Sequence, residues 1–364
     1  MSRLFVTCYG CWVRYVVLSC FLMFALGKGV AQQRSMRVME YNVENMFDTL
    51  HTAGLSDIDF TPTGSYQWNS QRYWAKLGRL SRVIAAAGGA QPIDLLALVE
   101  IENDSVVNDL IHHTKLWRMG YECVVSHSAD VRGINVALVY LPYRFRLLSK
   151  DSLRVAPQGK TLRPTRDILH VVGELVTGDT LDVYVCHFPS RRGGKQSQNF
   201  RESVAQHLRH YVDSVMCMRS QPNVLIMGDF NGYWPESFLT EGLGVQLAAT
   251  SEAVQPNELY LLTYALKGGA DVRGTYKFQG EWNQLDHFVV NGTMLDDNRK
   301  GHPYIKSSSC KLFCPMFLLK KERSGEGVRP YRTYLGNYYQ GGYSDHLPIL
   351  RRTRQTLWSR PCRC

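Results

Sequence analysis

The run Asn223 to Asn231 (NVLIMGDFN) constrains this chain more than any other stretch. Val224 to Met227 is apolar enough for a core strand, and Gly228 lets another backbone or a ligand approach closely. Asp229 and Asn231 are two apart, so in extended chain they share a side. A carboxylate and a carboxamide held together suit attack of water or a hydroxyl on phosphorus. The carboxylate can orient or deprotonate the nucleophile, and the amide can donate to the developing negative oxygen. The same residues also suit a strand ending in an Asx-turn. Taken alone, the segment supports either reading.

The pattern recurs, which favours the chemical reading. Met36 to Val43 reads as a strand ending in Tyr41-Asn42-Val43-Glu44-Asn45, and Asp94 to Val99 as a buried strand ending in Glu100-Ile101-Glu102-Asn103. Leu169 to Val176 and Thr180 to Cys186 form a hairpin about Gly178-Asp179, and the second strand leads into His187. Gln284 to Val290 carries Asp286-His287, and Ser344-Asp345-His346 precedes a last strand, Leu347 to Leu350. Further strands fall at Tyr121 to Ser126 and Ile134 to Tyr140. Helical periodicity marks Asn69 to Ala87, stopped by Gly88-Gly89, and also Asp104 to Leu116 and Gln196 to Met218. Gly301 to Tyr339 reads as irregular, basic surface loops. Helices alternating with strands, together with hairpins, argue against a purely parallel sheet. They predict an α/β chain with two packed sheets flanked by helices.

Composition is that of a soluble globular protein: 364 residues, 45% hydrophobic and 20% charged, with a formal charge of +10. That charge favours anionic partners without choosing among nucleic acid, phosphorylated metabolites and anionic membranes. Residues 1–31 read as an export signal, with Arg3 and Arg14 beside the apolar run Tyr15 to Leu26 and small residues before Gln32. The competing readings are an uncleaved anchor or a lipoprotein processed at Cys20. Export places the chain in a secreted or periplasmic setting, as one catalytic domain over 32–355 with a tail at 356–364. Ten cysteines, three of them in the signal, leave an odd seven, which is no tidy disulfide framework. Cys310 and Cys314 could close a local loop, whereas Cys123, Cys186 and Cys217 sit in apolar patterns and read as buried thiols.

The strand-end residues are carboxylates, amides and imidazoles, with few cysteines. Such a set suits a hard, oxygen-loving cation, Mg²⁺, Mn²⁺ or Ca²⁺. No Gly-x-Ser-x-Gly elbow occurs, which makes Ser/His/Asp hydrolysis the weaker choice. The ordered motifs Tyr41-Asn42-Val43-Glu44-Asn45, Leu98-Val99-Glu100, His187, Gly228-Asp229-Phe230-Asn231, Leu285-Asp286-His287 and Ser344-Asp345-His346-Leu347-Pro348 resemble the endonuclease/exonuclease/phosphatase superfamily. Within it the chain looks most like secreted bacterial members of deoxyribonuclease I type. The resemblance implies a four-layer α/β/β/α sandwich, with two central mixed sheets and the site at one rim. It implies Glu100 as principal metal ligand, Asn42 beside metal and phosphate, and Asp345 completing the metal site. It further implies Asp229 as the residue activating water, Asn231 as phosphate-oxygen donor, His346 facing the scissile phosphate, Asp286 fixing its tautomer, and His187 as a second phosphate-contacting histidine.

The resemblance leaves several residues to the bottom-up reading. Arg191 and Arg192, in a basic flexible loop after His187, read as substrate-phosphate contacts, with Arg201 a lesser candidate. Glu102 suits a second metal ligand or a solvated strand end equally. His287 points away from Asp286 in a strand and reads as structural. Tyr66, Trp68, Tyr73 and Trp74 could stack on nucleotides but sit at helical spacing, which favours a core role. The leading function is a divalent-metal-dependent phosphodiester hydrolase, a secreted nuclease acting on DNA or RNA, monomeric and without an obligate protein partner. The alternatives are a sphingomyelinase-type phospholipase C or phosphomonoesterase, acting on phospholipid or a phosphorylated small molecule, and a non-catalytic surface-binding module. A membrane-acting enzyme needs an exposed apolar hairpin, for which Pro315 to Leu319 is the candidate.

Overall fold

A computed structural model describes residues 33–155, 165–247, 254–264, 266–269, 271–296, 298–299, 302–305, 310–322 and 327–356. The signal expected at 1–31, its expected processing site and nearly all of the expected C-terminal tail lie outside the described residues. Among those described, no helix is long and apolar enough to cross a membrane.

Twelve strands build two large sheets. The first contains β1 (Gln33–Met46), β2 (Leu95–Ile101), β3 (Glu122–Val125), β4 (Asn135–Tyr140) and β12 (Ile349–Thr356), in the order β12-β1-β2-β4-β3. Two-residue strands at Pro303–Tyr304 and Lys311–Leu312 pair with β12. The second runs β5-β6-β7-β8-β11-β10-β9. Its strands are β5 (Phe145–Leu153), β6 (Ile168–Leu175), β7 (Thr180–His187), β8 (Val224–Asp229), β9 (Val245–Leu247), β10 (Leu259–Leu261) and β11 (Asp286–Asn291). Three helices flank the sheets: α1 (Ser70–Gly88), α2 (Asp104–His112) and α3 (Gly194–Met218). The expected four layers and two mixed sheets are therefore present.

The layers follow from strand parity. On β8, Leu225 and Met227 join the larger core shared with β1, β2 and α1, whereas Val224 and Ile226 join the core under α3. On β7, Leu181, Val183 and Val185 face the larger core and Tyr184 and Cys186 face α3. On β11, Phe288 and Val290 face inward and Val289 outward. Both faces are buried, so these strands read as continuous apolar runs. Continuing each parity to the strand ends aims His187, Asp229 and Asp286 into the space between the sheets. Their Cα atoms form one row, because His187 pairs with Asp229 across β7–β8 and Asp229 with Asp286 across β8–β11.

The first sheet meets that row with bulges. The β1–β2 register shifts between Asn42 and Met46, and the β2–β4 register shifts between Val99 and Ile101. Glu44, Asn45 and Glu100 take left-handed backbone there, with φ of 55°, 47° and 67°. Such bulges re-aim side chains at a sheet rim.

Several sequence expectations need correction. β5 went unread because Arg146, Lys150, Asp151 and Ser152 give an edge strand no alternation. The short strands β9 and β10 were also missed. The helix expected at 104–116 ends at His112, where Thr114 caps a separate 3₁₀ turn, Lys115–Met119. The stretch 301–339 is not merely surface loop, because Thr333 and Tyr334 are buried against β1. Cys310 and Cys314 carry free thiols. They flank an extended strand, and four residues of extended chain hold them roughly 13 Å apart, beyond disulfide reach. Cys217 is exposed, since Val215 and Met216 take the inward face of α3.

One glycine allows the rim to close. Gly228 has φ +145°, and a Cβ there would sit 1.9 Å from the Cys186 carbonyl oxygen of β7. Gly228→Ala should therefore cost roughly 3 kcal/mol or more in a denaturant melt. Gly178→Ala, at φ +85° with open space around it, should cost about 1 kcal/mol, the left-handed backbone alone. Equal losses would remove the steric argument.

Candidate active site

The inward-facing row ends on a single oxygen. Asp229 Oδ2 accepts from Asn42 Nδ2 at 3.1 Å and from Asn231 Nδ2 at 3.3 Å. The Nε2 atoms of His187 and His346 both stand 3.9 Å from it, one on each strand-end side. That separation is too long for a direct bond and leaves room for a small oxygen species between. The Asx-turn reading and the catalytic reading of residues 229–231 both hold. Asn231 N–H donates to Asp229 Oδ1 at 2.7 Å, and this turn, with Asn231 at φ 50°, folds the amide back over the carboxylate. The Asn231 amide also donates to the Phe188 carbonyl at 3.0 Å.

His346 arrives from the first-sheet side. Ser344 is a turn residue, as expected: its hydroxyl donates to the Asn42 carbonyl and accepts from His346 N–H. His346 Nδ1 bonds Asp286 Oδ2 at 2.7 Å, so Nε2 is left facing Asp229. Burial opposes the imidazolium, but Asp286, Asp229 and Asp345 outweigh it and raise the His346 pKa to about 10. His187 behaves oppositely. Burial and the charges of Arg166 and Arg132 push it well below the usual imidazole range. Its Nδ1 has no partner among the described residues. The site thus holds one cationic and one neutral imidazole. Asp229 is raised to about 7 by burial and by Asp286.

Glu40 lies behind this pair, fully buried on the same face of β1 as Asn42. Among the described residues, neither of its oxygens meets an N–H or O–H donor, nor does Asp286 Oδ1. Burial, then the charges of Asp286 and Asp229, push its carboxyl well up, and the protonated form hydrogen-bonds Asp286. Sequence reading passed over Glu40, whose only signal was an acid at an inward position of a core strand.

The same centre opens into a cleft of about 550 Å³ lined by Glu44, Glu100, His187, Arg191, Arg192, Asp229, Asn231, Asp345 and His346. Glu100 Oε2 accepts the Asn45 N–H at 2.8 Å and Oε1 lies 3.9 Å from His187 Nε2. Glu44 accepts the backbone N–H groups of Thr333 and Tyr334 at 2.6 and 3.2 Å. Burial and Asp345 raise its pKa to about 7. Asp345 accepts from Arg332 Nη2 at 2.6 Å. Lys76, buried on α1, donates to the Glu44 carbonyl; burial lowers its pKa to about 8 against the pull of Glu44. Lys76, Arg332 and Tyr276, whose ring packs 4.9 Å from His346, were missed because motif-poor residues give no sequence signal.

Other expectations sort as follows. Arg191 is tied to Glu236 and stacks on Tyr233 at 4.8 Å. Arg192 lines the cleft without a comparable tie. Arg201 is buried against the Pro189 and Ser190 carbonyls, so it shapes the loop and does not reach into the cleft. Glu102 is buried and accepts the Asp48 N–H at 2.6 Å, so it is no solvated strand end. His287 is structural, bonded to Thr263 and the Gly232 carbonyl. Tyr66 and Trp68 line the cleft, Tyr73 is core, and Trp74 is exposed elsewhere.

The cleft's candidate metal donors are mainly oxygens. Four carboxylates, Glu44, Glu100, Asp229 and Asp345, line the cleft with no thiol among its lining residues, and the repulsion between Glu44 and Asp345, partly offset by Lys76 and Arg332, would be relieved by further positive charge. These oxygens fit a hard dication. Among the described residues, Asp229, Asp286 and His346 form the one group whose donor atoms all lie within 4.8 Å of one another, whereas Glu44, Glu100 and Asp345 line the cleft at wider spacing. A cation there would displace the proton between His346 and Asp286, so the Glu100 side is the better seat.

The profile of the Endonuclease/Exonuclease/phosphatase family matches residues 37–355. The chain belongs to that family, whose members usually hydrolyse phosphoester bonds and typically use divalent metals. No curated protein matches the chain. Among solved structures, truncated Caenorhabditis elegans TDP2 aligns with a TM-score of 0.51 at 13% identity, covering 88% of this chain and 98% of that one. A family protein from Bacteroides thetaiotaomicron aligns at 0.53 and 13% identity, covering 90% and 97%. D. rerio TDP2 complexed with single strand DNA product aligns at 0.52 and 15% identity, covering 88% and 98%. At such identities the likeness concerns the fold.

The protonation pattern sets a pH profile. A base at Asp229 must lose its proton and an acid at His346 must keep one. Turnover should rise as pH climbs through about 7 and fall above about 10, with Asp229→Asn lowering kcat by about 10³-fold. A rate profile flat from pH 5 to 9 would remove Asp229 as the base.

Proposed function

We propose that this protein is a divalent-metal-dependent phosphodiester hydrolase acting on nucleic acid, exported from the cell. The carrying observation is the arrangement at Asp229 Oδ2, with one cationic and one neutral imidazole at 3.9 Å and two amides in contact. Asp229 orients the attacking water and takes its proton. His346, held protonated by Asp286, faces the phosphoryl group and supplies charge relief or a proton to the leaving oxygen. His187, kept neutral, contributes a hydrogen bond without adding charge. Asn231 and Asn42 hold the Asp229 carboxylate in one orientation, and Asn231 sits beside the entering phosphoryl oxygen. Glu100 and Asp345, with Asn42 adjacent, would hold the dication, which when bound neutralises charge developing on the phosphoryl oxygens.

Nucleic acid is favoured over membrane lipid by one observation. The candidate apolar hairpin is only a 3₁₀ turn, Met316–Leu318. Leu318 is buried and Phe317 packs beneath Arg82, leaving Met316 alone exposed. A cleft lined by arginines and by Tyr66, Tyr276 and Tyr334 suits a phosphodiester bearing flat bases. The neighbour crystallised with single strand DNA product points the same way.

Purified protein should cleave plasmid DNA and bis-p-nitrophenyl phosphate with Mg²⁺ or Mn²⁺, and EDTA should abolish both. His346→Ala should lose about 10²–10⁴-fold in kcat while keeping its melting transition. Cleavage of sphingomyelin alone would transfer the assignment to the phospholipase C alternative. Inertness towards every diester with every dication would overturn the proposal.

A further inference from the structure

Two guanidiniums at the His187 end of the cleft remain outside this chemistry. Arg166, 7% exposed, lines the cleft together with Arg132. Asp130 bridges them, with Oδ2 3.3 Å from Arg166 Nη1 and Oδ1 3.4 Å from Arg132 Nε. Arg166 Nη2 also donates at 2.8 Å to the Phe188 carbonyl, the same oxygen that receives Asn231. Its Nε is buried and meets no acceptor among the described residues. Asp130 is the one carboxylate paired with both guanidiniums among the described residues, with Glu100 acting on Arg166 at longer range, and their positive charge is felt at His187. Of the other cleft arginines, Arg191 is neutralised by Glu236 and Arg332 by Asp345, while Arg192 is exposed on the loop after His187.

The cradle is rigid. Asp130 Oδ1 accepts the Arg132 N–H at 2.8 Å, and its carbonyl accepts Gly133 N–H at 2.9 Å. Ser56 N–H donates to the Val131 carbonyl at 2.7 Å, and Gly133 turns at φ +73°. A buried guanidinium with a free N–H, paired with a half-exposed one on a fixed turn, is a preorganised seat for an anion.

We infer that Arg132 and Arg166 form a second anion subsite, which holds a phosphoryl group adjacent to the one being hydrolysed. This rests on the phosphodiesterase reading and narrows it. The favoured substrates carry phosphates in series, as a nucleic-acid strand does, and an isolated diester lacks the second contact. Arg166 reaches the reacting centre through the Phe188 carbonyl, so occupancy of the subsite is felt where Asn231 is positioned.

The test uses the full chain with Mn²⁺ and three dinucleotides: TpT, pTpT and TpTp. Hydrolysis of TpT by the wild type establishes the phosphodiesterase reading on its own. One of the two phosphorylated dinucleotides should be preferred over TpT by about tenfold in kcat/KM, expressed in KM. Arg132→Ala, at a half-exposed position that threatens no core, should erase that preference, and Arg132→Lys should keep part of it. Arg166→Lys should weaken it while retaining the charge. Equal use of all three dinucleotides by the wild type, or an undiminished preference in Arg132→Ala, would overturn the subsite and leave the hydrolase assignment standing. Failure to cleave TpT or either relative would instead count against both.

Discussion

The register of β7, β8 and β11 is the constraint on which the rest depends. Side chains alternate faces along a strand, and these three strands are apolar on both faces. Their end residues His187, Asp229 and Asp286 lie in one hydrogen-bonded row. A slip of one residue in any strand would turn a candidate site residue towards α3 and an aliphatic one into the cleft. His287 shows the consequence of the wrong parity. It is one position from Asp286, yet it is bonded to Thr263 and Gly232 on the opposite face. The interior of the sandwich therefore fixes the chemistry, because burying Leu225, Met227, Phe288 and Val290 is what aims the carboxylates.

Much of this was legible in the chain because apolar runs ending in polar groups leave a two-residue periodicity that can be read forward. Glu100, His187, Asp229, Asn231, Asp345 and His346 line one cleft, and Asn42 backs it through Asp229, as their common position at strand ends implied. The unread parts share a different cause. Glu40 lies inside a strand, where an acid signals nothing until its partner across the sheets is known. Lys76 sits on the buried face of a helix that otherwise looks ordinary. Arg166 and Tyr276 reach the cleft from segments without a motif, and Thr333 and Tyr334 come from a stretch whose composition suggested solvent. Long-range placement decides these residues, and spacing carries no trace of it. The strand β5 was missed for the converse reason: an edge strand needs little apolar pattern.

The two histidines show how one cavity runs acid and neutral chemistry side by side. Carboxylates surround His346, so it stays charged despite burial. Arginines stand near His187, so burial is reinforced and it stays neutral. Exchanging those neighbours would exchange the roles without moving either ring. Glu40 extends the pattern inward, since a carboxyl kept protonated can stand next to Asp286 where a second anion could not.

The sheet that pairs β1 with β12 joins the two ends of the described chain. Ser344 donates to the Asn42 carbonyl across 302 positions of sequence, and His346 lies two residues beyond it. The imidazole at the rim is therefore held in place by one of the longest loop closures in the sandwich. Unzipping β12 from β1 would withdraw His346 from Asp286 while β7, β8 and β11 kept their own pairing.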